Sequence, residues 1–149
     1  MARHIWTVLC SGDAVRDTEQ RLTLMEPVDH LNAFPVPSDD LIGKSALRLS
    51  SPLTIVSAWM PSAPQGPEGG QERIRLLAPD GALLETYTRA LDLQPLRTTY
   101  LRREIAILKY AGLGRYEFEV ALVDPSAVET RVALIPLELR LGGAAGTPH

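Results

Sequence analysis

The chain has 149 residues, 45% of them hydrophobic and 22% charged, with a formal net charge of −3. This length suits one globular domain that folds without disulfides, and the single cysteine excludes an internal disulfide and a cysteine-based zinc cluster. The acidic balance argues against nucleic-acid binding, which uses a basic excess gathered on one face. No apolar stretch approaches the ~20 residues of a membrane helix. We therefore expect a cytoplasmic protein with neither nucleic acid nor membrane as a partner.

The N-terminal third predicts short strands joined by polar connections. Residues 5–10 indicate a strand with Trp6, Val8 and Cys10 on one face, because side chains alternate between faces with a period of two. This run is too short for the core of a secretory signal, which needs ~7–15 apolar residues. Residues 11–20 are predicted as a polar connection and residues 21–27 as a second strand. Residues 34–40 are predicted as a proline-stiffened loop, and residues 47–59 as one interrupted strand or two short ones.

A loop and a hairpin are predicted in the middle of the chain. Residues 61–71 contain three prolines and three glycines and almost no apolar side chain, which is typical of a flexible loop. Pro79-Asp80-Gly81 separates two apolar runs, which predicts a hairpin turn.

The clearest strand signal lies at residues 115–124, where Tyr116, Phe118, Val120 and Leu122 share one face. The glycines just before it, in residues 111–114, predict a tight turn. Residues 98–110 favour a strand with mixed faces, with a helix as the alternative for residues 101–109, because that stretch contains no glycine or proline.

In the last strand the apolar residues occupy even-numbered positions before Pro136 and odd-numbered positions after it. This change of face predicts a bulge or a crossing between sheets at Pro136. Residues 142–149 form a tail of small residues that we expect to be flexible. The whole pattern predicts an all-β fold: an antiparallel β-sandwich of seven to nine strands with at most one short helix, formed by residues 1–141 as a single domain.

Several segments together resemble a family of small bacterial domains of unknown function with an immunoglobulin-like sandwich. They cover most of the chain, from about position 3 to 141: Leu9-Cys10-Ser11-Gly12-Asp13, Arg21-Leu22-Thr23-Leu24-Met25, Arg75 to Gly81, Gly112 to Val120, and Ile135-Pro136-Leu137. The resemblance implies the sandwich fold but no activity and no catalytic residues. Gly114, Tyr116 and Phe118 also resemble the tyrosine segment that opens strand F in immunoglobulin-like folds.

The sequence predicts no catalytic, cofactor-binding or metal-binding residue. We expect Cys10 to be a buried thiol within its strand. Asp29-His30 is a poor half of a catalytic triad, because neighbours in a strand point to opposite faces. Ser11-Gly12 lacks the first glycine of a nucleophile elbow.

Charged and aromatic residues are interpreted as structural. The acidic residues in predicted loops suit ordinary turns, with a cation site at one end of the sandwich as the alternative: Asp13, Asp17, Asp39, Asp40, Asp80 and Asp124. Arg102-Arg103 is followed by Glu104 and suits a solvated strand face, with an anion site as the alternative. Trp6 and Trp59 suit the core, unless exposure makes one part of a partner-binding patch.

These observations favour a non-catalytic protein-binding module that also associates with itself through an open strand edge, as a homo-oligomer without cofactors. The segment Thr86-Tyr87-Thr88 and the region about Pro136 are the candidate edges. One alternative is a structural subunit of a larger bacterial or phage assembly. The other is an enzyme with a loop-built site, for which a polar pocket containing His30 would be the evidence.

Overall fold

The computed structural model describes residues 2–11, 15–16, 22–23, 30–33, 41–42, 46–62 and 68–141. Eleven strands occur within them: β1 (Arg3–Ser11), β2 (Val15–Arg16), β3 (Leu22–Thr23), β4 (His30–Ala33), β5 (Leu41–Ile42), β6 (Ala46–Met60), β7 (Glu68–Leu77), β8 (Leu83–Leu93), β9 (Thr99–Lys109), β10 (Gly114–Val123) and β11 (Glu129–Leu141). Seven of the eleven are nine residues or longer. The predicted all-β class is confirmed. The described residues include no helix that could span a membrane.

The long strands form two sheets. In the first, β6 is central, with β9 along one side and β1 and β5 along the other. In the second, the order is β4-β11-β10-β7-β8, antiparallel except for the parallel pairing of β4 with β11. Strands β2 and β3 pair only with each other among the described residues.

The larger of the hydrophobic clusters among the described residues joins the two sheets and makes the fold a sandwich. Strand β10 supplies Tyr116, Phe118 and Val120, which are all fully buried. The first sheet faces them with Leu53, Ile55 and Trp59 from β6. The alternation predicted for residues 115–124 is therefore confirmed, since its apolar face lies in this core.

The predicted hairpin joins β7 to β8. The Gly81 N–H donates to the Ala78 carbonyl at 2.8 Å, and Gly81 has a φ of 89°. The Ala82 N–H donates to the Asp80 carboxylate at 3.0 Å, which fixes the turn from within. Glycine fits here because an L side chain is strained at positive φ.

Residues 101–109 form a strand, so the helical alternative is wrong. Their pairing with β6 shifts register between Arg48 and Leu53. Beyond this shift the strict alternation of buried residues is lost, because Ile105 and Leu108, three positions apart, are both buried and Ile107 between them is 44% exposed. Residues 47–59 accordingly belong to one strand with an interrupted ladder, as one of the two predicted alternatives had it.

Two sequence predictions are wrong in detail. The loop predicted at residues 61–71 ends earlier, because Glu68 already belongs to β7 and accepts hydrogen bonds from the Ser62 N–H and hydroxyl. The ladder between β10 and β11 runs unbroken through Pro136, and its irregularity lies at Val132 instead. Proline is tolerated where its nitrogen faces away from the paired strand. Leu134 consequently faces outward, 42% exposed.

Several predictions for the termini and loops fall outside the described residues. These are the loop at residues 34–40, residues 63–67 of the loop predicted at 61–71, most of the second predicted strand and the tail at residues 142–149. Strand β2 lies inside the predicted connection at residues 11–20, and β3 contains Leu22 of the second predicted strand.

Candidate functional site

A group of hydrogen-bonded polar side chains lies between the two sheets and forms what we call the inter-sheet polar cluster: His4, Thr7, Ser57, Trp59 and Glu72. The His4 Nε2 and Thr7 Oγ1 atoms are 2.7 Å apart, and Thr7 Oγ1 is 2.9 Å from Ser57 Oγ. The bulge between His4 and Trp6 places His4 on the same side of β1 as Thr7. The cluster therefore connects the edge strand β1 to the centre of the sandwich.

Glu72 is the ionisable group at the centre of this cluster and is only 5% exposed. Its carboxyl accepts a hydrogen bond of 2.7 Å from Trp59 Nε1, and the Ser57 hydroxyl also bonds to it. Burial raises the pKa of Glu72, because desolvation penalises the carboxylate more than the two hydrogen bonds favour it. The bond from Trp59 joins β6 of one sheet to β7 of the other.

Two arginines close the side of the sandwich next to Glu72, where the edge strands β8 and β9 face each other. Arg89 of β8 donates to the Arg102 carbonyl at 2.7 Å, and Arg103 of β9 donates to the Thr88 carbonyl at 3.4 Å. The Arg103 guanidinium also lies 5.0 Å from the centre of the Tyr87 ring, within the range of a cation–π contact. Both positive charges lower the pKa of Glu72, in opposition to burial.

The cluster contains a serine, a histidine and a carboxylate, but it is not arranged as a catalytic triad. In a triad the carboxylate orients the histidine, and the histidine contacts the nucleophile. Here Glu72 bonds to Ser57 and Trp59, while His4 bonds to Thr7. Ser57 is fully buried, so a substrate cannot reach it. Burial lowers the pKa of His4. The arrangement links β1, β6 and β7, and Glu72 is the group in it whose raised pKa favours the protonated form.

The strand edges differ in how they are protected against pairing with another chain. On the edges of β8 and β9, one backbone carbonyl of each strand, that of Thr88 and that of Arg102, accepts a hydrogen bond from an arginine of the other strand. The edge of β11 carries Pro136 and the bulge at Val132, and β4 covers its last residues from Glu138. Prolines, bulges and charges are the usual devices that keep a sheet edge from pairing.

Strand β1 has a different edge. Its residues 5–10 contain no charge, proline or glycine. Among the described residues β1 pairs with β6 alone. Trp6 and Val8 are half-buried and pack beside Cys10 and Val56 on the outer face of the sheet. This edge is regular beyond the bulge that precedes Trp6.

Most of the structural interpretations of single residues are confirmed. Cys10 is fully buried, with its Sγ 3.5 Å from the Thr54 carbonyl. Trp59 is a core residue, whereas Trp6 is half-buried with its ring 5.8 Å from that of Tyr100. Arg103 is half-buried against Tyr87, so the predicted solvated face holds for Arg102 and Glu104 only.

Of the six acidic residues predicted to lie in loops, the two that the structure describes act in turns. Asp80 and Asp124 accept hydrogen bonds from backbone N–H groups two to four residues further on. No group of metal-ligating side chains occurs in the ranges that the structure describes. Asp13, Asp17, Asp29, Asp39 and Asp40 lie outside those ranges, as does Gly12. His30 is placed in β4 and Ser11 in β1, with no side-chain environment described for either.

Sequence reasoning missed His4, Ser57 and Glu72, although two of them carry a periodic signal. Glu72 shares the parity of Ile74 and Leu76, and Ser57 shares the parity of Ile55 and Trp59. Extending each apolar alternation to these polar residues would have placed both in the core. His4 has no such signal, because the bulge that sets its orientation is a tertiary feature.

The sequence matches no protein-family model, and no curated protein is significantly similar to it. The resemblance to a bacterial domain family therefore stays a prediction.

Proposed function

We propose that the chain is a non-catalytic, immunoglobulin-like β-sandwich module that assembles with a second copy of itself through the edge of β1. The observation that carries this proposal is the contrast among the edges. The edges of β8, β9 and β11 each carry arginine bonds, a proline or a bulge, whereas residues 6–10 of β1, which follow the bulge of that strand, carry no charge, proline or bulge. Uncharged runs rich in β-branched and aromatic residues are the segments that add to another strand most readily.

A second copy is the partner that fits this edge. In an isologous dimer each copy presents the same surface, so any charge in the paired run meets its like near the two-fold axis. The run in β1 has none. Antiparallel pairing centred on Val8 places Val8 of one copy opposite Val8 of the other, which brings the half-buried Trp6 and Val8 of the two copies together.

The immunoglobulin-like part of the proposal is supported by topology and by Tyr116. The order β1-β6-β9 against β11-β10-β7-β8 supports this part, because β9 returns to pair with β6 after the chain has formed β7 and β8 in the other sheet, as in a Greek-key sandwich. The Tyr116 hydroxyl at the start of β10 donates to the Gly112 carbonyl at 2.5 Å. A tyrosine in this place that bonds upstream to the backbone is a feature of such folds.

The test compares Ile5→Lys with Ile107→Lys by sedimentation equilibrium over a concentration series. The two isoleucines are 40% and 44% exposed, so the changes are matched in chemistry and exposure. We expect Ile5→Lys to raise the dimer dissociation constant by at least about tenfold, because it adds a desolvated ammonium to each copy at the paired edge. Ile107→Lys lies in β9, on the opposite side of β6 from β1, and should leave the dimer dissociation constant unchanged.

Two results would contradict the proposal. One is a wild-type chain that stays monomeric at about 1 mM, which would place any association below a biologically useful range. The other is equal weakening by both substitutions. Far-ultraviolet circular dichroism of each variant shows whether the strand content is intact.

A further inference from the structure

The geometry of the inter-sheet polar cluster points to a proton-linked device that is independent of the proposed dimer. We propose that Glu72 controls the closure of the β8–β9 side of the sandwich: protonated Glu72 leaves Arg89 and Arg103 bound to the facing strands, and ionised Glu72 draws them inward and loosens that side.

The first support is the position of Glu72 relative to the groups that surround it. Trp59 and Ser57 approach from β6 as uncharged donors, Arg89 from β8 and Arg103 from β9. Arg89 is the direct ladder partner of Glu72, so its side chain leaves the sheet on the same face. From β1, His4 reaches Glu72 indirectly, through Thr7 and Ser57 and through the edge-to-face contact of its ring with Trp59, with 5.1 Å between the ring centres.

The second support is that the arginines have two competing acceptors. Their guanidinium groups donate to the carbonyls of Arg102 and Thr88, and these bonds cross between the two sheets. A neutral carboxyl is a weak competitor for a guanidinium, whereas a carboxylate in a low-dielectric interior attracts it strongly. Loss of the proton therefore shifts the arginines from the carbonyls towards Glu72, and the bonds that hold β8 to β9 are lost.

The sign of the pH effect follows from the raised pKa of Glu72. Between its ordinary value of 4.5 and the raised value of the folded state, the folded chain binds more protons than the unfolded chain. The stability contributed by this group is therefore present below 4.5 and is lost as the pH rises through the folded pKa. His4 acts in the opposite direction, because its folded pKa is lowered.

The test is amide hydrogen exchange of the full chain at about pH 4.5 and about pH 8, with protection factors corrected for intrinsic exchange. In the wild type we expect the protection of the amides of β8 and β9 to fall at least about threefold more than that of β10 at the higher pH. In Glu72→Gln, which keeps an acceptor for Trp59 but cannot ionise, this extra loss should vanish. Because His4 is present in both proteins, the comparison of wild type with Glu72→Gln also removes the effect of His4 on the pH dependence.

A second pair of variants keeps the proposal falsifiable if Glu72→Gln folds poorly. Arg103→Gln removes a charge that lowers the pKa of Glu72, so the loss of protection should move to higher pH; Arg97→Gln, in the exposed β8–β9 turn, should not move it. An equal pH response in wild type and Glu72→Gln would overturn the proposal, as would an Arg103→Gln profile that coincides with that of Arg97→Gln. None of these readouts depends on dimerisation.

Discussion

At the scale of single residues, Tyr116 shows how one side chain combines burial with hydrogen bonding. Its ring is fully buried in the core, and its hydroxyl accepts from the Ala111 N–H at 2.8 Å and donates to the Gly112 carbonyl at 2.5 Å. Burial raises the pKa of Tyr116, so the hydroxyl stays protonated and able to donate. This residue therefore holds the β9–β10 turn against the core.

Tyr116→Phe keeps the ring and removes both hydrogen bonds of the turn. We expect the free energy of unfolding to fall by about 1–3 kcal/mol, because two backbone groups lose their partner. Urea denaturation followed by tryptophan fluorescence measures this difference. Tyr110→Phe is the control, since it removes a neighbouring hydroxyl without touching these two bonds. Equal losses in the two variants would show that the bonds of Tyr116 contribute nothing specific.

At the scale of strands, the pairing of β7 with β10 depends on a close approach at Gly70. A Cβ atom at this position would lie 2.9 Å from the Val123 carbonyl oxygen, and the backbone has a φ of 142°. Real Cβ atoms do not approach a backbone oxygen this closely, so a side chain here displaces the start of β7 from the end of β10. Gly69 differs, because its nearest neighbour would be 4.0 Å away.

Gly70→Ala and Gly69→Ala form a matched pair that tests this close approach. We expect Gly70→Ala to destabilise the fold by about 2 kcal/mol or more through strain and the displaced ladder. Gly69→Ala should stay within about 0.5 kcal/mol of the wild type, since a strand residue with space for a methyl tolerates it. Thermal and urea unfolding both measure the difference. Similar stabilities for the two variants would contradict the steric argument.

At the scale of the whole molecule, the two faces of the second sheet carry ionisable groups whose pH effects oppose each other. Inside the sandwich, Glu72 has a raised pKa; on the outer face of the second sheet, hydrogen bonds from Arg75 lower the pKa of Glu129. Arg75 also contacts Glu119, and Arg73 lies 3.2 Å from Glu129. The outer face therefore gains stability with rising pH, whereas the interior loses it.

Glu129→Gln isolates the outer contribution. A lowered folded pKa gives stability that is present above 4.5 and lost as the pH falls through the folded value. We expect the variant to be about 0.2–1 kcal/mol less stable than the wild type at about pH 7, because surface ion pairs are weak, and this difference to be smaller at about pH 2. Urea denaturation at both pH values measures this. About 1 M salt should shrink the difference at neutral pH, and a difference that persists at low pH and high salt would refute the ionic origin.

The sequence alone predicted the elements whose signals are local. The alternation at residues 115–124 and the turn at Pro79-Asp80-Gly81 specify a strand and a hairpin, because a period of two and a glycine at positive φ each depend on neighbours in the chain. The all-β class and the burial of Cys10 and Trp59 followed from the same local patterns. These predictions needed no knowledge of which strands pair.

Tertiary structure decided whatever depends on the register between strands. The parity change after Ile105 comes from an irregularity in β6, and the bulge at Val132 rather than at Pro136 comes from pairing with β10. The inter-sheet polar cluster arises because β1, β6 and β7 bring His4, Ser57 and Glu72 together from distant parts of the chain. The alternation within β6 and β7 indicates that Ser57 and Glu72 are buried, but which residues they contact depends on the packing of the two sheets against each other, and this packing leaves no signal along the chain.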